Sequence, residues 1–277
     1  MSYKGLILAG GGVKGFCLLG AIQRLYDKNK IDQNNLTHFS GSSIGGIISF
    51  FLAIGYSPTE LMVYMCTKGV FESLKINALY NILAETTLYE YSVIDNMFEK
   101  MTIEKIGYVP TLNELYEKHG KTLVVSTYNL TKLETEYISY KNYPDLNCLK
   151  ALRMTSNLPF IFGEFFNNEY EYIDGGIVDN LPLSTIDVEI PKIGIGFEYS
   201  EEELDLNIGW GNKILNKIYK ILMVPVSERE KEKIKILCES HKIEYYKINP
   251  GKIMFYKFSI TNQEKMDLFS IGYNSIQ

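Results

Sequence analysis

The chain has 277 residues, of which 46% are apolar and 22% charged, and its formal net charge is −5 at pH 7. This composition supports one substantial core without disulfides or metal, and the weak, intermixed charge excludes a basic surface for nucleic acid. The longest strongly apolar run, Ile47 to Tyr56, is about half as long as a membrane-spanning helix. We therefore expect one domain over residues 1–277 that is cytoplasmic and contacts membranes only peripherally, with an oligomeric state that the sequence leaves open.

The four cysteines, Cys17, Cys66, Cys148 and Cys238, are far apart and form no Cys-x-x-Cys pair. We expect reduced thiols in mostly apolar surroundings rather than bridges or metal ligands. The sequence also contains no metal-ligand cluster, so neither a metal nor a cofactor is expected. The amino terminus runs directly into the apolar Leu6-Ile7-Leu8 without the pattern of a signal peptide.

Predicted strands and helices alternate up to about residue 200. In chain order they are a strand at Leu6–Ala9, a helix from Lys14 to about Lys28, a strand closed by His38-Phe39-Ser40, a helix at Ile44–Ile54, strands at Thr122–Thr127 and Glu136–Ser139, a helix at Leu146–Ser156, and strands at Glu171–Ile173 and Ile193–Phe197. The alternation predicts an α/β fold of three layers, with a mostly parallel sheet and helices on both faces. Residues from about 200 to 277 look like helical cover with one strand at Ile243–Ile248, and Ser227-Glu228-Arg229-Glu230 has the form of a capping box.

The first glycine-bearing motif is Gly10-Gly11-Gly12-Val13-Lys14-Gly15, between a strand and a helix. Successive backbone N–H groups and a helix dipole stabilise negative charge there, whether on a pyrophosphate or on a tetrahedral oxyanion. The dinucleotide-binding alternative needs an acidic residue about twenty positions on. Asp32 is near that spacing, but Asp32-Gln33-Asn34-Asn35 is typical of a polar loop, which favours the oxyanion interpretation.

The second motif is Gly41-Ser42-Ser43-Ile44-Gly45, again between a strand and a helix. Gly-x-Ser-x-Gly in this context forms a sharp turn that exposes the central serine at a helix amino terminus, ready for nucleophilic attack. The structural alternative is a glycine-rich turn in which Ser42 or Ser43 merely caps the helix.

The third motif is Asp174-Gly175-Gly176, which follows Tyr172-Ile173. Asp-Gly is a common turn, so a surface hairpin is its ordinary explanation. As part of a site, the glycines let the backbone bring the carboxylate close to Ser43. A carboxylate with a pKa of about 4 is a weak base for a hydroxyl, so burial and a direct hydrogen bond to the serine would both help.

The three motifs in this order resemble the patatin-like phospholipase family of lipid acyl hydrolases, which use a Ser-Asp dyad. The resemblance runs from about Gly5 to Phe197 and includes the segments 151–159, ALRMTSNLP, and Asn180-Leu181-Pro182. It implies phospholipase A-type cleavage of a phospholipid or other acyl ester through an acyl-enzyme, without a cofactor. It also implies these roles: Ser43 as nucleophile between Gly41 and Gly45; Asp174 as base beside Gly175 and Gly176; and Gly10, Gly11, Gly12, Val13, Lys14 and Gly15 around the oxyanion.

Other interpretations stay open at this point. A Ser-Asp-His triad would use His241, which follows a lysine-rich run where a histidine is commonly a favourable charge at a helix carboxyl terminus. His38 precedes the second motif, although a histidine bonded to backbone at a strand end is the commoner outcome, and His119 looks like a helix end. A non-catalytic lipid-binding or interaction protein on the same scaffold is the alternative from another class.

Two segments are compatible with a lipid substrate. Leu61–Met101 is rich in Met, Leu, Tyr and Phe and has the composition of a lid or acyl groove, although such residues more often belong to a core. Gly211–Met223 is amphipathic, with lysines at 213, 217 and 220, a pattern that suits either a bilayer surface or the cover of a sheet.

Overall fold

The computed structural model of the protein describes residues 3–67, 89–198, 210–239, 243–251 and 260–277. The strands are β1 (Gly5–Leu8), β2 (His38–Ser42), β3 (Thr122–Asn129), β4 (Glu134–Ile138), β5 (Phe166–Asn167), β6 (Tyr170–Asp174), β7 (Lys192–Phe197) and β8 (Glu244–Ile248). The helices are α1 (Gly15–Asp27), α2 (Ile44–Ala53), α3 (Pro58–Thr67), α4 (Ser92–Ile106), α5 (Leu112–His119), α6 (Cys148–Thr155), α7 (Trp210–Glu239) and α8 (Asn262–Asn274).

One mixed sheet, flanked by helices, organises the molecule. Its central strands are parallel and lie in the order β3-β2-β1-β7-β8, whereas β4 and β6 pair antiparallel with β3. Every residue of β1 is buried, as expected for a central strand that is covered on both faces. The predicted α/β class with a mostly parallel sheet is confirmed.

The two motifs that carry Ser43 and Asp174 meet along one edge of β3. On this strand, β4 pairs with residues 125–129 and β6 with residues 127–129, so β4 and β6 occupy opposite edges. β2 pairs with residues 122–126 of β3. Because β2 and β4 both pair with residues 125 and 126, they lie on opposite edges of β3, and β2 therefore lies on the same edge as β6. Ser42 ends β2 opposite Ser126, and Asp174 ends β6 opposite Thr127. The two strands thus run toward each other, and their carboxyl ends meet.

The carboxyl-terminal helix α8 closes the fold by packing directly on α1. It begins with a capping box in which the Thr261 hydroxyl accepts from the Glu264 N–H and the Glu264 side chain accepts from the Thr261 N–H. A Cβ at Gly20 would lie 1.9 Å from the carbonyl oxygen of Phe269, and one at Gly272 would lie 1.8 Å from that of Cys17. The two helix backbones are therefore in contact.

The predicted capping box at Ser227 is wrong. Ser227 lies inside α7, which runs continuously through Pro225, and its hydroxyl donates to the carbonyl oxygen of Val224 at 2.9 Å. A serine inside a helix can bond a carbonyl of the preceding turn in this way, so a serine followed three residues later by a glutamate is not by itself a helix start.

The remaining expectations for the fold differ from the structure mainly in element ends. His119 ends α5, and Gly120 follows in the left-handed conformation with φ 65°, as predicted. The four cysteines form no disulfide with one another; Cys17 and Cys148 are buried, and Cys66 and Cys238 are partly buried. Among the described helices, no single one has the length and apolarity needed to cross a bilayer, and only the α2–α3 pair, bent by 116°, meets those criteria jointly. The single-domain organisation stays a prediction.

Candidate active site

The turn that follows β2 holds Ser43 in a strained conformation. Its φ and ψ angles are 50° and −125°, a region that side chains other than glycine rarely adopt. The flanking glycines make the turn possible: a Cβ at Gly45 would lie 2.3 Å from the carbonyl oxygen of Leu8, and one at Gly41 would lie 2.5 Å from the carbonyl carbon of Gly45. Ser43 is therefore lifted out of the line of the strand, immediately before α2.

The helix-capping alternative for this motif is wrong. Ser43 is the N-cap residue of α2, but its side chain accepts no hydrogen bond from the first turn of that helix. The buried Ser42 hydroxyl has no hydrogen-bond partner among the described residues either.

The Ser43 hydroxyl instead donates to Asp174, from Oγ to Oδ2 at 2.6 Å. The other carboxylate oxygen of Asp174, Oδ1, accepts the Gly176 N–H at 2.7 Å. Asp174 is almost fully buried, and this burial raises the pKa of its carboxyl to about 7, against the lowering effect of the two hydrogen bonds. A carboxyl that titrates near neutral pH is a much better proton acceptor than an exposed aspartate.

Residues from α6 and the segment after it fix both sides of this contact. The Ser43 N–H donates to Thr155 Oγ1 at 3.0 Å, and the Thr155 hydroxyl donates in turn to the carbonyl oxygen of Ser126 at 2.6 Å. The Asp174 N–H donates to the carbonyl oxygen of Asn157 at 3.0 Å. Sequence reasoning gave Thr155 and Asn157 no role, although both lie in the segment whose family resemblance it noted.

The first glycine motif lies against the turn of Ser43. A Cβ at Gly10 would lie 3.1 Å from Ser43 Cβ, and the Gly10 N–H donates to the carbonyl oxygen of Asn180 at 3.1 Å. The Lys14 N–H bonds the Gly11 carbonyl, and the Gly15 N–H bonds carbonyls inside the motif, so these two donors are also engaged.

Three backbone donors of the same motif remain. In the part of the chain that the structure describes, no protein acceptor pairs with the N–H groups of Gly11, Gly12 or Val13. Of the six residues predicted around the oxyanion, these three therefore have backbone donors available for a ligand. Gly15 is needed for a different reason, which is that a side chain does not fit there: a Cβ would lie 2.4 Å from Ile44 Cγ1.

A buried polar cluster behind the site was missed by sequence reasoning. Asp179 is 7% exposed, and its Oδ2 accepts hydrogen bonds from the Tyr137 hydroxyl at 2.7 Å and from Lys233 Nζ at 2.9 Å. Its carbonyl oxygen accepts from Ser126 Oγ at 3.0 Å. The next residue, Asn180, anchors Gly10. Asp179 and Asn180 thus connect α7, β3 and β4 to the glycine motif, through contacts that no local sequence pattern signals.

The histidines take no part in these contacts within the described chain. His241 lies outside the described residues, so the triad alternative stays untested. His38 begins β2, at the end of that strand remote from Ser43; its Nδ1 lies 2.9 Å from Thr37 Oγ1, and burial lowers the pKa of the ring. Asp32 accepts the Asn34 N–H at 2.9 Å in a turn, which fits the predicted polar loop rather than a ribose site.

This protein is therefore an α/β protein with a strained serine turn between a central parallel strand and a buried helix. The chain belongs to the patatin-like phospholipase family, whose model matches residues 6–187. All three motifs of the candidate site fall inside this match. The helices α7 and α8 fall outside it.

Comparisons with individual proteins agree with this assignment. The chain is 34% identical over 184 residues to the probable lipid hydrolase 463L of Invertebrate iridescent virus 6, covering 65% of this chain and 62% of that one. It is 28% identical over 279 residues to an uncharacterized protein of Acanthamoeba polyphaga mimivirus, covering 99% and 92%. Among solved structures, VipD from Legionella pneumophila has a TM-score of 0.57 and 21% identity, covering 99% of this chain and 66% of VipD. That last likeness is one of fold.

Proposed function

We propose that the protein is a lipid acyl hydrolase of the phospholipase A type that uses Ser43 and Asp174 as a catalytic dyad. The observation that carries the proposal is the 2.6 Å hydrogen bond from Ser43 Oγ to Asp174 Oδ2, made to a carboxyl whose pKa burial raises to about 7. Nucleophilic catalysis requires a hydroxyl bonded to a base of suitable pKa, and this pair meets both conditions.

In the first half of the proposed reaction, Ser43 Oγ attacks the ester carbonyl carbon while Asp174 accepts the hydroxyl proton. The negative charge that develops on the carbonyl oxygen is stabilised by the N–H groups of Gly11, Gly12 and Val13. The tetrahedral intermediate then collapses, the bond to the leaving alcohol breaks, and protonated Asp174 returns its proton to that alcohol. The product of this half is an acyl ester on Ser43.

The second half repeats these roles with water as the nucleophile. Asp174 accepts a proton from the water that attacks the acyl carbonyl, and it then returns the proton to Ser43 Oγ as the fatty acid leaves. A single carboxyl serves both halves because its oxygen Oδ2 lies at the serine, while Oδ1 is held by the Gly176 N–H.

A small apolar pocket of about 30 Å³ beside the turn of Ser43 marks where an acyl chain would enter, and such a chain needs the pocket to widen. It begins at Gly12 and Ile44, the neighbours of the predicted oxyanion site and of the nucleophile, and it continues between α1, α2 and α3 as far as Leu61 and Met65. Its lining is entirely apolar or glycine, a surface that suits a hydrocarbon chain rather than a polar headgroup. The suggestion that Leu61–Met101 forms a lid or acyl groove stays a prediction: Leu61 and Met65 line this pocket, and residues 68–88 lie outside the described chain.

The test is release of fatty acid from phospholipid vesicles and from a short-chain nitrophenyl ester by wild type, Ser43→Ala, Asp174→Asn and His241→Ala. We expect activity to fall by about 10³-fold or more in the first two variants and to persist in the third. Loss in His241→Ala would replace the dyad by a triad. If folded wild type shows neither hydrolysis nor labelling of Ser43 by a fluorophosphonate, the result favours a missing activator or a non-catalytic lipid-binding role over the proposed activity.

A further inference from the structure

We infer that α8 limits the length of acyl chain that the protein hydrolyses, because α8 caps the end of α3 that closes the apolar pocket beside Ser43. The inference rests on the proposed function for the nature of the substrate. It also assigns a role in specificity to α8, a helix that lies outside the family match.

The apolar pocket is too small for a long acyl chain while α3 stays in place. It extends from Gly12 and Ile44 to Leu61 and Met65, and its volume is about 30 Å³. Since one water needs about 10 to 15 Å³ by this measure, the pocket holds about two water molecules. A chain of more than a few carbon atoms therefore enters only if α3, which forms the far end of the pocket, moves outward.

The carboxyl-terminal half of α3 has little hydrophobic anchoring of its own. Pro58 and Leu61 are the buried residues of this helix, and both lie in its first half. Residues 62–67 are all partly or fully exposed. The last turn of any helix also carries carbonyl groups that have no partner inside the helix. The position of this end of α3 therefore depends on the groups that bind those carbonyls.

The first turn of α8 supplies such groups. The Lys265 ammonium group donates to the carbonyl oxygen of Met65 at 3.1 Å, and the Asn262 side-chain amide donates to the carbonyl oxygen of Cys66 at 3.0 Å. Lys265 is buried, and it also donates to Asn262 Oδ1 at 3.0 Å. A lysine at the carboxyl end of a helix satisfies carbonyl groups and complements the helix dipole. α8 thus caps α3, although Met65 and Lys265 are 200 positions apart.

Met65 connects this cap to the apolar pocket. Its carbonyl oxygen accepts from Lys265, while Met65 itself lines the pocket and packs against the core. α8 is in turn fixed on α1 by the close contacts at Gly20 and Gly272, and α1 forms another wall of the same pocket. The hydrogen bonds from α8 therefore oppose the widening that a long acyl chain requires.

The experiment measures kcat/KM for nitrophenyl octanoate and nitrophenyl butyrate, and its readout is the ratio of the two values. Asn262→Ala and Lys265→Met remove hydrogen bonds to α3, and Met65→Ala shortens a side chain of the pocket. Gln263→Ala is the matched control on α8, because Gln263 is exposed like Asn262 but its side chain donates within α8. Val63→Ala is the control on α3, because Val63 is 60% exposed and lies outside the pocket lining.

We expect the octanoate-to-butyrate ratio to rise by about three- to tenfold in Asn262→Ala and Lys265→Met, because the net contribution of one hydrogen bond corresponds to about that factor. Met65→Ala should raise the ratio by about tenfold or more, because longer chains then fit without movement of α3. The two control variants should keep the wild-type ratio. Asn262→Ala is a change at an exposed residue, so it tests the inference even if Lys265→Met, which leaves a carbonyl group without its donor, does not fold.

The inference is overturned if folded Asn262→Ala keeps the wild-type ratio, even when Met65→Ala raises it, because α8 would then not control the pocket. An equal rise in Gln263→Ala or Val63→Ala overturns it as well. Failure of the proposed function gives a different result: wild type hydrolyses neither ester, or Ser43→Ala hydrolyses the butyrate ester as fast as wild type. That result would overturn both proposals.

Discussion

The carboxyl of Asp174 sets how both activity and stability respond to pH. Its pKa in the folded chain is about 7, whereas the ordinary value is 3.8. A base works only when it is deprotonated. We therefore expect kcat/KM for a soluble short-chain ester to rise with pH through an apparent pKa of about 7 and then to level off. A pH–rate profile that is flat from about pH 5 to pH 8 would contradict the assignment of Asp174 as the base.

The same shift predicts that Asp174→Asn stabilises the protein while it abolishes activity. A raised folded-state pKa means that the folded chain holds more protons than the unfolded chain between about pH 4 and pH 7, so stability falls as pH rises through that range. Above about pH 7, the wild-type protein carries a buried negative charge at Asp174 that the asparagine variant lacks. We expect the free energy of unfolding of the variant to exceed that of wild type by about 1 to 4 kcal/mol at pH 8, with the difference shrinking toward pH 4.

Urea denaturation at the two pH values measures this effect. Asp145→Asn, which removes an exposed carboxyl, is the control and should change stability little at either pH. If Asp174→Asn were less stable than wild type at pH 8, the hydrogen bonds to the carboxylate would outweigh its burial, and the carboxyl would titrate well below neutrality.

At the scale of elements, α7 supports the glycine motif through the ion pair between Lys233 and Asp179. Lys233→Met leaves a nearly buried carboxylate whose remaining side-chain partner, among the described residues, is the Tyr137 hydroxyl. Because the lysine side chain is 38% exposed, we expect a modest loss of about 1 to 2 kcal/mol in the free energy of unfolding. We also expect a fall of about tenfold in kcat with little change in KM, since Asp179 precedes the anchor of Gly10.

Lys231→Met is the matched control for this prediction. Lys231 lies on the same helix and pairs with Glu228, but both side chains are more than 60% exposed, so their ion pair contributes little. Equal kinetic effects in the two variants would mean that α7 does not position the site through Asp179.

At the scale of the whole molecule, α8 holds the chain together through its contact with α1. Gly272→Ala would place a methyl group 1.8 Å from the carbonyl oxygen of Cys17, which forces the two helices apart. We expect a loss of about 2 to 4 kcal/mol in the free energy of unfolding, although alanine favours an isolated helix over glycine by about 1 kcal/mol. Thermal unfolding beside Ser270→Ala, an exposed change on the same helix, measures the effect. A stabilised Gly272→Ala would show that the helices are not in close contact.

Sequence reasoning predicted the elements of this molecule whose structure is determined by residues close to them in the sequence. β1, the turn of Ser43 and α2 were found because glycines and an apolar run of fixed length determine them within a few residues. The partners of Asp179 were not found, because the Tyr137 and Lys233 side chains come from β4 and α7, far away in the sequence. The close contact of Gly20 with α8 was missed for the same reason, since its meaning depends on a helix about 250 residues later.

The opposed ends of β2 and β6 also determine which changes in chain length the protein can tolerate. Ser43 and Asp174 are 131 positions apart, yet their contact depends on the length of two short strands along one edge of β3. Deleting one residue within β6 would move Asp174 by about 3.3 Å and turn its side chain to the other face of the sheet. Deletions in the surface connections between the two strands leave that register intact. In a scan of single-residue deletions, we therefore expect activity to be lost when the deletion lies in β2 or β6 and to be retained when it lies in the surface connections between them. The distance of the deletion from Ser43 or Asp174 along the sequence should not matter.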